Sequence, residues 1–297
     1  MEKILFVCNT AGILARFRLP VLKAAREAGY EVSCICGLGI NVEEYIETLN
    51  DVGFSVRWLP GLEENGLSLR TLIEQAFELS KMIRDNAPDI LHSFTHRANI
   101  VSFLALQGNR SIRFIPNVTG AGRLFGENLS FRDRMLRWLL LNLYRCFEPR
   151  CECIYFQNSD DLQEMGRTMG WPHSKLKLTN GSGLDPLEVV LSNKTDVITK
   201  RNELYRIYGI DPYKQLFIMP SRALHSKGVA EFYNAAERYL ELFNDAVFVH
   251  AGEAVEDSTD GLSQSMLRSM QLSGLYYIGF QSDIYSLIDA SDIVVLP

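Results

Sequence analysis

The 297 residues contain no Cys-x-x-Cys pair, and none of the five histidines joins the cysteines at metal-ligand spacing. No bound metal is expected. No apolar run reaches the length that a bilayer-spanning helix needs. The formal net charge is −6, so the chain lacks the positive field of a protein that grips nucleic acid. The dinucleotide fingerprint is missing too. Val118 to Gly126 holds three glycines, but their spacing is wrong and no helix opens at once. That removes a nicotinamide-dependent enzyme. The six cysteines include Cys34 and Cys36, in a predicted strand, and Cys151 and Cys153, near another. In a chain this long they read as buried free thiols of a cytoplasmic protein. Met1 to Val7 runs directly into a strand, so no signal peptide is expected.

What the chain does have is apolar material, 47% of its residues, enough for two cores. Short apolar runs at Ile4–Cys8, Glu31–Cys36, Ser55–Trp58, Pro88–His92, Ile112–Val118, Ile154–Gln157 and Lys175–Leu178 alternate with amphipathic stretches. This rhythm predicts a parallel sheet with helices on both faces. Gly12, after the first run, sits where a ligand can approach the backbone, though a plain tight turn explains it as well. Ser130 to Arg150 predicts a long helix rich in Leu, Trp and Arg. It suits a core helix with a solvated arginine edge, or one that rests on an anionic membrane surface.

Thr179-Asn180-Gly181-Ser182-Gly183-Leu184-Asp185-Pro186 reads as a hinge. It suggests an N-terminal domain over 1–185, a linker over 186–200 and a second domain over 201–297. The second domain restarts the alternation and shows three clear strands before a last one that stops at Pro297. The chain therefore reads as a fragment whose second domain is incomplete. Within it, the run Leu216–Met219 leads to Ser221-Arg222-Ala223-Leu224-His225-Ser226-Lys227-Gly228 and then to an amphipathic segment from Val229. Arg222 and Lys227 thus fall between a strand's carboxyl end and a helix's amino end. There, free N–H groups and the helix dipole add positive potential. A planar guanidinium and a mobile ammonium suit a diphosphate. By themselves the residues fit a loop with two solvated cations equally well.

Four stretches occur in a meaningful order. They are Val118-Thr119-Gly120-Ala121-Gly122, Asn180-Gly181-Ser182-Gly183-Leu184-Asp185, Ser221-Arg222 to Lys227-Gly228, and Ser291-Asp292-Ile293-Val294-Val295-Leu296-Pro297. Together they resemble glycosyltransferase family 4, and within it the branch that builds capsule, O-antigen and lipid-linked oligosaccharides. The resemblance implies an α/β fold of two Rossmann-like domains facing a cleft (GT-B), and a retaining hexosyltransferase. The substrates it implies are a nucleotide-sugar donor such as UDP-hexose and a glycan or polyprenyl-diphosphate-linked acceptor. No metal or other cofactor is implied, and the place implied is the inner face of the cell membrane.

In that resemblance Arg222 and Lys227 match the diphosphate-binding pair. Gly12, Gly252 and Glu253 match loops along the donor. His92, His96, Arg97, Arg123 and Asn158 fall at expected strand ends or loops on the acceptor side. The chain departs from the family in having one glycine at the first loop and Thr119-Gly120 where many members carry a histidine. The family's paired glutamates, which hold the donor ribose, would follow Pro297. The other readings are a non-catalytic nucleotide-sugar-binding or partner subunit, and a sugar-nucleotide 2-epimerase. For the last, no set of cleft carboxylates and histidine can be assembled from the sequence.

Overall fold

In the computed structural model the described residues are 1–39, 42–64, 68–125, 129–183, 196–209, 211–256, 260–281 and 283–297, with the backbone alone for 123 and 196–200. The linker expected over 186–200 lies outside them up to residue 195. The chain divides into two compact units, Met1–Leu184 and Asp185–Pro297.

The first unit is built on seven parallel strands, β1 (Lys3–Thr10), β2 (Glu31–Gly37), β3 (Val56–Trp58), β4 (Ile90–Phe94), β5 (Arg113–Val118), β6 (Ile154–Phe156) and β7 (Leu176–Leu178). Their order is β3-β2-β1-β4-β5-β6-β7. The order reverses between β1 and β4, so the carboxyl ends of these strands frame a topological switch point, the usual ligand crevice of an open sheet. Strand alternation feeds two cores. Leu5, Val7 and Leu91 point to one face, Ile4, Phe6, Cys8 and Ile90 to the other. Helices α4 (Leu69–Asn86), α5 (His96–Ala105), α6 (Phe131–Phe147) and α7 (Ser159–Met169) cover the first face. The second is covered by α1 (Ala11–Ile13), a π-helical turn Leu14–Arg18, α2 (Leu19–Glu27) and α3 (Val42–Asp51).

The second unit contains α8 (Asp196–Tyr208), β8 (Gln215–Pro220), α9 (Val229–Leu242), β9 (Ala246–Ala251), α10 (Gln264–Ser269), β10 (Leu275–Gly279), α11 (Ile284–Ala290) and β11 (Ile293–Val294). The strands are parallel in the order β10-β9-β8-β11, which places its switch point between β8 and β11. Met219 and Phe248 face one core, Leu216, Ile218, Val247 and Val249 the other. Asp292 locks the last strand in register. Its carboxylate accepts two hydrogen bonds from the Arg201 fork, at 3.0 and 2.9 Å, and a third from Leu216 N–H at 2.7 Å. Arg201 also holds this carboxyl below the usual range. The aspartate that contributes to the sequence resemblance therefore acts as a clamp between α8, β8 and β11.

Candidate functional site

The loop after β8 carries the expected cation pair. Its backbone is fixed from several sides, almost wholly by main-chain bonds. Ala223 N–H donates to Glu253 O at 2.8 Å, and Leu262 N–H donates to Ala223 O at 2.9 Å. His225 N–H reaches Asp260 O at 2.8 Å, and Ser226 N–H reaches the Asp260 carboxylate at 3.0 Å. A short 3₁₀ turn, His225–Lys227, then leads to Gly228, whose φ of +73° suits glycine. Beneath the loop, fully buried His250 donates from Nε2 to Ser221 O at 3.0 Å while its Nδ1 faces Tyr233 Oη at 3.3 Å. Burial holds this imidazole below its ordinary pKa, so it stays neutral and bridges the two oxygens.

On this frame Arg222, His225 and Lys227 are exposed. Among the described residues no carboxylate pairs with Arg222 or Lys227. The loop thus presents a guanidinium and an ammonium, neither paired with a carboxylate among the described residues, at a switch point. That is an arrangement suited to an anion. Gly252 serves the same loop from below. A Cβ there would lie 1.6 Å from Ser221 O. Its own N–H donates to Gly279 O at 2.8 Å. The residue brings the ends of β8 and β9 together backbone to backbone. Glu253, beside it, is half-buried and contributes its main-chain carbonyl to the loop.

In the first unit the candidates disperse. Gly12 lies in α1 rather than in an open turn. A Cβ there would be 3.0 Å from the Tyr45 ring, so the small residue serves helix packing. His92 was expected at the end of its strand, but β4 runs on to Phe94 because Ser93 and Phe94 continue the alternation. The imidazole is mid-strand, its ring 4.4 Å from that of Phe94 and 5.6 Å from that of Phe6. His96 reaches Tyr144 Oη at 2.9 Å and Ala121 O at 3.3 Å, within a buried network of Ser93, Asn99 and Tyr144. Arg97 is buried, donating to Gln75 at 3.2 Å and pairing with Glu64 at 3.2 Å. Asn158 caps α7 by accepting from Asp161 N–H at 2.7 Å. Arg123 opens a 3₁₀ turn, Arg123–Phe125, and its side chain is outside the described atoms.

These residues have a common effect on the glycine-rich loop. His96 takes the carbonyl of Ala121, and the Asp161 carboxylate accepts its N–H at 2.9 Å. Gly120-Ala121-Gly122 is thus pinned at its centre, with a glycine on either side at which an added Cβ would meet nothing within 4 Å among the described residues.

Burial, with the Arg18 guanidinium adding to it, lowers the pKa of His92 to about 3. The unfolded chain protonates this imidazole near 6.5. Between those values the unfolded state holds the extra proton, so stability falls as pH drops through that window. From pH 7 to 5 the loss from this group is about 2 kcal/mol. His92→Phe, which keeps the ring stack, is expected to reduce the acid-side slope by that amount. Urea midpoints of both proteins at the two pH values measure it, and parallel pH profiles would contradict it.

Sequence reasoning missed the most unusual feature of this unit. Arg18, the last residue of the π turn, is only 3% exposed. Nearby, Thr95 adopts φ +80°, a strained conformation for a β-branched side chain, and donates to Asn9 Oδ1. Both lie at the carboxyl edge of β1 and β4.

Comparison with known proteins draws these observations together. No family model matches the chain. Among curated proteins, it is 26% identical over 293 residues to the N,N'-diacetylbacillosaminyl-diphospho-undecaprenol alpha-1,3-N-acetylgalactosaminyltransferase of Campylobacter jejuni, covering 98% of this chain and 73% of that protein. It is 24% identical over 276 residues to the Escherichia coli UDP-Gal:alpha-D-GlcNAc-diphosphoundecaprenol alpha-1,3-galactosyltransferase, covering 90% and 65% respectively. Among solved structures, Anabaena Alr3699/HepE in complex with UDP-glucose superposes over the whole chain and 74% of its own length, with a TM-score of 0.73 at 18% identity. The chain has the GT-B fold. In this GT-B chain the seven-stranded unit is the N-terminal Rossmann-like domain, and the four-stranded unit belongs to the second. The chain spans about two thirds to three quarters of the length of these relatives.

Proposed function

We propose that the protein is a retaining glycosyltransferase. It moves a hexose-type sugar from a nucleotide-sugar, with UDP as the nucleotide, to a hydroxyl of a polyprenyl-diphosphate-linked glycan in surface-polysaccharide synthesis. The observation that carries this reading is the Arg222–Lys227 loop. Two cations without carboxylate partners among the described residues stand on a turn held by β9, His250 and Asp260. Breaking the anomeric bond leaves negative charge on the departing diphosphate. Charges already in place stabilise it without reorganisation at the moment of reaction. The names of the relatives supply the substrate classes, a UDP-sugar donor and undecaprenyl-diphosphate-linked acceptors.

A membrane-bound acceptor gives meaning to α6. Its inner face, Leu140, Leu141, Tyr144 and Phe147, is buried in the core. Its outer face exposes Phe131 (85%), Met135, Trp138 (64%) and Leu139 at helical spacing, flanked by exposed Arg132, Arg134 and Arg145. An apolar ridge edged by arginines suits the boundary between headgroups and acyl chains. No described helix is long and apolar enough to cross a membrane. The reading places the protein peripherally on the cytoplasmic face, with this ridge against the membrane. Phe131→Ser with Trp138→Ser is expected to weaken binding to vesicles containing anionic phospholipid by about tenfold or more. Co-sedimentation measures the effect, and equal binding of both proteins would remove this surface from the reading.

The function is tested by incubating the purified protein with radiolabelled UDP-hexoses, UDP-N-acetylhexosamines and undecaprenyl-diphosphate-linked monosaccharides. Label in the lipid fraction, with the donor's anomeric configuration kept, is the expected result. Conversion of a UDP-sugar to its 2-epimer, or UDP binding with no transfer from any donor, would overturn it.

A further inference from the structure

Arg18 is a buried cation that the transfer reaction, as described above, does not use. It projects from the π turn after β1, and its guanidinium lies 4.5 Å from the centroid of the Phe94 ring at the end of β4. It therefore occupies the switch point of the seven-stranded sheet. Among the described residues no carboxylate is seen to act on it. One titratable neighbour is the Cys8 thiol, which burial pushes up to about 12 and so keeps protonated. Nε is buried with no hydrogen-bond partner among the described residues, and so is Nε2 of neighbouring His92. The two terminal nitrogens share one oxygen. With the Gln157 amide turned so that both its ends are satisfied, its Oε1 accepts from each at 2.8 Å, and its nitrogen donates to Thr119 O at 3.3 Å.

A buried charge held by one neutral oxygen and one aromatic face is an expensive arrangement, because desolvation costs several kcal/mol and no carboxylate among the described residues offsets it. A guanidinium that merely filled the core would be expected to pair with a carboxylate or several carbonyls. The unfilled position here is specific. Nε–H and one terminal N–H form the side-on fork that takes two oxygens of a carboxylate or phosphate. Gln157 Oε1 stands end-on, between the two terminal nitrogens, and so fills the other place where this guanidinium can take an oxyanion. Gln157 follows the last residue of β6 and is only half-buried, so its side chain is the cover of the site.

We propose that Arg18 is the floor of an oxyanion-binding subsite at the carboxyl edge of the first sheet, which Gln157 closes when it is empty. The ligand group is a phosphoryl or carboxylate oxyanion. It enters by displacing the Gln157 amide and takes the place of its oxygen at the two terminal nitrogens of Arg18. Assigning the acceptor as carrier of that group, through its diphosphate or an acidic sugar, rests on the proposed function. The oxyanion subsite itself does not.

The test uses protein in which Arg222→Ala and Lys227→Ala have silenced the other candidate anion loop. Calorimetric titrations with inorganic pyrophosphate and with glucuronate distinguish the phosphoryl from the carboxylate source. One of the two is expected to bind at a single site. Arg18→Met should weaken that binding about tenfold or more, as loss of a charge-assisted pair does. Gln157→Ala should tighten it, because the internal oxygen no longer competes. A merely structural Gln157 would not give that gain. Absence of binding by either oxyanion, binding unaffected by Arg18→Met in a folded protein, or unchanged or weaker binding in Gln157→Ala would each overturn the proposal. Should circular dichroism show Arg18→Met unfolded, the Gln157→Ala titration decides alone. No donor sugar is present, so failure of the transferase reading leaves this outcome legible.

Discussion

Replacing Arg222 and Lys227 together by alanine is expected to lower sugar transfer by about 10³- to 10⁴-fold, since each preplaced charge of this kind contributes about 10²-fold. Both groups are exposed, and the loop under them is held by main-chain bonds, by His250 and by Asp260 rather than by their own side chains. Truncation should therefore remove charge without loosening the turn. The negative charge they meet grows as the anomeric bond breaks. The loss should accordingly fall on kcat more than on the KM for the donor. Arg222→Lys separates charge from geometry: it retains the cation and loses the planar fork, and should recover part of the activity. Steady-state kinetics with a UDP titration of each variant make the measurement. Transfer at the wild-type rate in the double variant would show that the loop is an ordinary solvated surface.

A single methyl group at Gly252 is expected to do comparable damage from below the loop. The added Cβ would sit 1.6 Å from Ser221 O and 2.5 Å from its carbonyl carbon. Neither is the movable end of a side chain, so β9 and the β8 loop must separate. The same carbonyl accepts from His250, so that bond strains or breaks as well. Overpacking of this kind costs about 3 kcal/mol. Moving Arg222 by an ångström is enough for about a 10²-fold loss in rate. Gly252→Ala should thus lower both the melting temperature and kcat, while leaving the charge of the loop intact. A variant that melts lower but transfers normally would separate Gly252 from the positioning of Arg222.

Much of the fold was legible because its signals are local. Alternation of short apolar runs with amphipathic stretches located the strands, and Leu216–Met219 led directly into the Arg222–Lys227 loop. That loop could be read because its parts are contiguous in sequence. Arg18, Phe94 and Gln157 could not, since they belong to three distant segments that only the strand order brings to one edge. Nothing in the residue types of Leu14 to Arg18 announces a π turn. His92 was misplaced for a smaller reason. Ending β4 two residues early turned a mid-strand ring into an apparent edge residue. His96 and Asn158 hold other residues in place, and residue type alone does not separate that work from contact with a ligand.

Each sheet is coated on both faces by apolar side chains from its own stretch of chain. The consequence is a freedom in heredity. Substitutions that retune the loops at the edge of β1, β4 and β6 leave the interior beneath Arg222 and Lys227 untouched, and the reverse holds too. A lineage can thus exchange one recognition task while conserving the other.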